Sequence, residues 1–103
     1  MKQTLSKVKN LEKFIEKHGD DPFISQSLFK MLIYKIAKYE EKIKRLDKEL
    51  KAFERAYGMK SSVFFRKFSE GKMGDAMDFI EWSSLYQMYH RLLEKKVELQ
   101  GKK

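Results

Sequence analysis

The side chains in this sequence that do chemistry elsewhere are few, and their spacing limits what they do here. His18 and His90 are the only histidines, and there is no cysteine. His18 stands at the end of an amphipathic segment, where a helix dipole favours a cation. His90 lies among basic residues on a polar face. A zinc or iron centre needs three or four converging donors, and no Glu-x-x-His pair of the di-iron bundle type occurs. Nothing resembles a Gly-rich phosphate loop, a nucleophile elbow or a Cys/His pair. The absence of cysteine rules out disulfides and thiolate metal sites and is compatible with a reducing, cytoplasmic location. The expectation is a protein that is not an enzyme and has no catalytic residue, metal or cofactor.

Charge is the remaining chemical signal. The chain carries +8 overall, spread unevenly. Residues 1–18, 19–60 and 83–103 each carry a net of +3, whereas residues 61–82 carry −1. One basic group is Lys7, Lys9, Lys13 and Lys17; the other is Lys42, Lys44, Arg45, Lys48, Lys51 and Arg55. Acids are interspersed through most of this, which reads as a solvated helix face. No helix-turn-helix spacing, RNA-recognition strand motif or basic zipper region stands out. Weak, salt-sensitive contact with nucleic acid is the most that such a surface implies. The acidic segment holds Glu70, Asp75, Asp78 and Glu81, interleaved with Phe79 and Trp82. Its ordinary reading is a helix start, with Asp75 as N-cap and Asp78 and Glu81 near the positive end of the dipole. Its sharper reading is a surface on which carboxylates beside aromatics bind a basic partner protein.

These residues are positioned by helices. One proline, five glycines and no alternating segment predict an all-α chain. A first helix over residues 4–18 is capped by Thr4 or Ser6 and carries Leu5, Val8, Leu11, Phe14 and Ile15 on one face; Gly19 closes it. Asp21–Pro22 is a start signal for a second helix running to Tyr57. Within it Phe29, Leu32, Ile36, Tyr39, Ile43, Leu46, Leu50, Phe53 and Tyr57 alternate in steps of three and four, a heptad seam. Glu40–Lys44, Glu41–Arg45 and Asp47–Lys51 set an acid four residues before a base. From Leu28 to Ala37 nearly every side is apolar, so this half should be packed on several sides; from Glu40 to Arg55 only a stripe remains.

At 1.5 Å per residue such a helix spans about 54 Å, longer than a globule of this chain length. Gly58 ends it. Ser61 or Ser62 caps a third helix, residues 61–70, whose Val63, Phe64, Phe65 and Phe68 plug the bend. A last helix, residues 75–99, lies antiparallel on the C-terminal half of the second, and a basic tail follows at 100–103. The predicted architecture is a single domain: an elongated, coiled-coil-like helical hairpin built on one long central helix. The seam is expected to pair two copies into a homodimer, with coverage inside a single chain as the alternative; in a parallel pair Lys35 meets Glu40 and Lys42 meets Asp47. No run of 18 apolar residues and no signal-type segment is seen, so no membrane association is expected. Heavy Lys and Glu usage with little Asn or Gln leans towards a thermophilic source.

The stretch YGMKSSVFFRKFSEGKMGDAMDFIEWSSLYQMY, Tyr57 to Tyr89, resembles a recurring block in small helical proteins of archaea and cyanobacteria. In them a long Leu-rich helix ends in an acidic-aromatic turn, followed by Gly-Asp-x-x-Asp-Phe-x-Glu-Trp. Here that segment is Gly74, Asp75, Asp78, Phe79, Glu81 and Trp82. Such proteins are similar to the antitoxin-like partners of small ribonuclease or nucleotidyltransferase-type toxins. The resemblance implies a protein-interaction module that sequesters a toxin, with Asp75, Asp78, Phe79, Glu81 and Trp82 as contact residues. A structural or chaperone-like coiled coil and a basic nucleic-acid-associated protein are the alternatives.

Overall fold

The computed structural model describes residues 1–101, so the end of the basic tail, residues 102–103, lies outside the described residues. The fold is all-α, with no strand among the described residues. Four helices follow one another: α1 (Lys2–His18), α2 (Pro22–Tyr57), α3 (Ser61–Ser69) and α4 (Met77–Leu99). The chain divides into two compact units, Met1–Ile33 and Tyr34–Lys103, where one domain was expected. The division falls inside α2, which nevertheless runs as one uninterrupted helix of 36 residues.

The ends of the helices follow local chemistry. Asp21 caps α2 as expected: its Oδ1 accepts from the amides of Phe23 at 2.8 Å and Ile24 at 3.2 Å. Gly58, at φ 65°, closes α2 in the left-handed region that an L side chain resists, donating its amide to Glu54 O at 2.8 Å. Three expected caps are not used. α1 starts at Lys2 with Met1 as its N-cap, ahead of Thr4 and Ser6. Lys60 takes the N-cap position of α3, placing Ser61 as its first residue. Ala76, not Asp75, precedes α4.

Unit Met1–Ile33 holds α1 and the first turns of α2, and none of its residues is buried. Ile15 and Ile24 are half-covered. Leu5, Val8, Phe14, Phe29, Met31 and Ile33 all remain exposed. The expectation that residues 28–37 pack on several sides is not met within this chain; Phe29 is still 65 % exposed.

Unit Tyr34–Lys103 holds the core. Leu50, Phe64 and Trp82 are buried, with Phe53, Phe68, Phe79 and Tyr86 packed around them. α4 runs antiparallel to this part of α2: Asp78 meets Tyr57, Trp82 stacks on Phe53, and Lys96 reaches Glu40. The lower seam, Ile43 to Phe53, is thus spent on α4 within one chain, with Leu46 and Leu50 buried. That corrects its assignment as an oligomer seam; Phe29 and Leu32 alone among the seam residues from 29 to 53 are left exposed. The three expected acid–base pairs along α2 do not form. Glu40 instead pairs with Lys96 of α4 at 3.1 Å, and Lys51 pairs with Glu54 at 3.7 Å. Glu41 likewise pairs with Lys38 at 3.8 Å.

Candidate functional site

The acidic-aromatic segment is built on a junction of three helices. Trp82 is wholly buried, its ring lying flat on Phe64 at 3.8 Å between centroids and on Phe53 at 5.4 Å. Aromatic pairs add about 0.5–1.5 kcal/mol to the value of the buried area. The indole N–H needs an acceptor in such a setting. It donates to the Ser61 hydroxyl at 2.9 Å, while the Ser61 amide donates to Glu54 Oε2 at 2.9 Å. Glu54 therefore caps α3 from α2, supplying the anion that a helix N-terminus favours.

The electrostatics of the junction follow. Burial works against ionisation of Glu54, but hydrogen bonds from the Ser61 amide and hydroxyl, with Lys51 beside it, outweigh this and hold its carboxyl below the usual value. Tyr57 donates its phenol to Asp78 Oδ2 at 2.5 Å, and this bond raises the tyrosine above its ordinary value.

The site residues proposed from sequence are thereby divided. Trp82 is corrected from surface anchor to core, since a side chain covered on every side by its own chain presents nothing to a partner. Phe79 is half-buried in the same cluster, edge-on to Tyr57 at 5.2 Å. Asp78 is tied to Tyr57. Asp75 and Glu81 stay exposed, and their apolar neighbours on the surface are Met77 and Ile80.

A second feature was not anticipated. Between α2 and α4 lies a groove of about 540 Å³, floored by Leu46, Met88 and Leu92 and walled by Lys42, Arg45, Lys48 and Glu49. Its cations belong to the cluster that reads as a solvated face in sequence. The available signal was the spacing of Met77, Ile80, Ser84 and Met88, a sparse stripe on the side of α4 opposite its aromatic one.

The histidines stay apart. His18 packs on Phe14 at 4.8 Å, and His90 meets Tyr86 at 4.5 Å. Among the described residues no group of three or more metal-ligating side chains converges, and no helix is long and apolar enough to cross a membrane. Compared with protein-family models, curated proteins and solved structures, the chain matches none.

Proposed function

We propose that this chain is a non-catalytic helical interaction module that binds another protein through the exposed apolar side chains of Met1–Ile33. The observation that carries this reading is the exposure of Leu5, Val8 and Phe14 on α1 and of Phe29, Met31 and Ile33 on α2. Large apolar side chains left exposed in such number along two successive helices cost free energy in water and point to an interaction site. Burying one such side chain recovers about 1.5–3 kcal/mol. The occupant is a partner protein that presents an apolar cleft to these helices. The likeness of Tyr57–Tyr89 to antitoxin-like proteins makes a toxin of a two-gene module the first partner to test, held by occlusion and without chemistry.

Co-expression with the product of the adjacent gene, followed by affinity purification of the full chain, tests this. The complex should be retained by the unaltered chain and by Asp75→Lys/Glu81→Lys. It should be lost in Phe29→Glu/Ile33→Glu, whose circular dichroism stays helical because both positions are exposed. Retention by the Phe29→Glu/Ile33→Glu variant would move the contact elsewhere and overturn the reading.

A further inference from the structure

The outer side of α4 begins acidic and apolar and ends in mixed charge. Met77 is 79 %, Ile80 44 % and Met88 42 % exposed, and Ser84 between them is exposed as well. Asp75 and Glu81 occupy its beginning, with no lysine or arginine from Met73 to Tyr89. Arg91 and Lys95 stand near its end together with Glu94 and Glu98, and Lys42, Arg45, Lys48 and Glu49 of α2 wall the groove there, which keeps a net positive charge. The acidic, apolar start of this helix is thus complementary to the basic, apolar groove at its other end.

We propose that a second copy of this chain occupies that groove, its α4 laid antiparallel on the first. The second copy's Ile80 then enters the floor made by Leu46, Met88 and Leu92. With Ile80 opposite Met88, the residue midway between them, Ser84, faces its own copy across a two-fold axis. A closed two-fold contact of this kind uses the same patch on both chains. The small side chain of Ser84 lets the helices approach closely at the axis. Glu81 comes within a turn of the other copy's Arg91, and the relation occurs twice. Parallel alignment would instead bring the acidic starts together. A nucleic acid is the poorer occupant: Glu49 stands in the groove wall, and a phosphate backbone has no use for the apolar floor.

The chain has no cysteine, so a single introduced thiol reports the geometry. Ser84→Cys, in the full-length chain carrying Phe29→Glu/Ile33→Glu to remove association through Met1–Ile33, is oxidised mildly and run on a non-reducing gel. Ser69→Cys, exposed at the end of α3, serves as the control. The expected result is a disulfide dimer from Ser84→Cys well ahead of the control, since two helices in contact bring these Cα atoms within disulfide range. In sedimentation equilibrium Glu81→Arg and Arg91→Glu should each weaken the dimer about tenfold, from two repulsive pairs replacing two attractive ones. Mixing the two variants, or combining them in one chain, should restore it. Cross-linking no faster than the control, or a mixture that stays monomeric, would overturn the proposal. So would a monomer whose groove is filled instead by short single-stranded DNA, seen as binding lost in Lys42→Glu/Arg45→Glu.

Discussion

Trp82 gives its indole proton to Ser61, and both groups are buried at a point where α2, α3 and α4 meet. The bond spans 21 residues of sequence and joins the first residue of α3 to the inner face of α4. The Ser61 amide also donates to Glu54, so one small residue links a carboxylate on α2 to an indole on α4.

Removing the hydroxyl isolates a buried donor. Ser61→Ala should destabilise the chain by about 1–3 kcal/mol, the cost of an unmet buried polar group. Trp82→Phe alone loses the same bond but removes the donor with it, and Ser61→Ala/Trp82→Phe should cost less than the two single changes added. Urea unfolding followed by circular dichroism measures all three. Strict additivity would mean that the hydroxyl and the indole do not act together.

Trp82→Ala removes the ring on which Phe64 and Phe53 stack, a change of about 3–5 kcal/mol in a well-packed core. A domain of this size holds about 5–15 kcal/mol in total, so the variant should melt far below the parent or fail to fold. Trp82 is the only tryptophan, so emission from the unaltered chain should be blue-shifted and shift red in one step on unfolding. An emission maximum already at the position of exposed indole in the native state would contradict its burial.

Much of this fold is legible in the sequence because helix signals are local. Asp21–Pro22 and Gly58 bound α2 correctly, since capping and positive φ are decided by neighbours within a turn. The partners of the seam are not local. Steps of three and four identify a stripe that must be covered, but Leu46 and Leu50 look the same whether a second copy or α4 covers them. Trp82 shows the same limit. Its spacing places it on the apolar face of α4, while its use as core or contact depends on whether Ser61 and Phe64 stand over it. The exposed character of Phe29 and Ile33 was the least legible feature, because a helix that is apolar all round normally reads as a buried one.

The Glu54 carboxylate sets an acid-side dependence of stability. Its folded value lies below the ordinary 4.5. A group lowered on folding contributes stability that is complete above its unfolded value and is lost as pH falls through its folded value. The chain should therefore weaken below about pH 4.5, where the unfolded state takes up protons more readily than the folded one. Glu54→Gln should be less stable than the parent at pH 7, and the gap should close in acid. Urea midpoints taken from pH 7 to pH 3 check this; a gap that persists at low pH would show that the cap acts by shape and not by charge.

Tyr57 carries the opposite sign. The hydrogen bond to Asp78 keeps its proton, and nearby burial and the Asp78 charge act in the same direction, so the folded value lies above 10.0. A group raised on folding contributes stability below its unfolded value and loses it as pH rises through its folded value. Tyrosinate absorbance resolves this among the five tyrosines by difference. Subtracting the titration of Tyr57→Phe from that of the parent should leave a single curve whose midpoint lies above 10.0. Asp78→Asn should draw that midpoint down, because an amide carries no charge to oppose the tyrosinate. A midpoint at the ordinary value in the parent, unmoved by Asp78→Asn, would mean that the two side chains do not meet in solution, and the start of α4 would then be tied to the end of α2 by Phe79 and Trp82 alone.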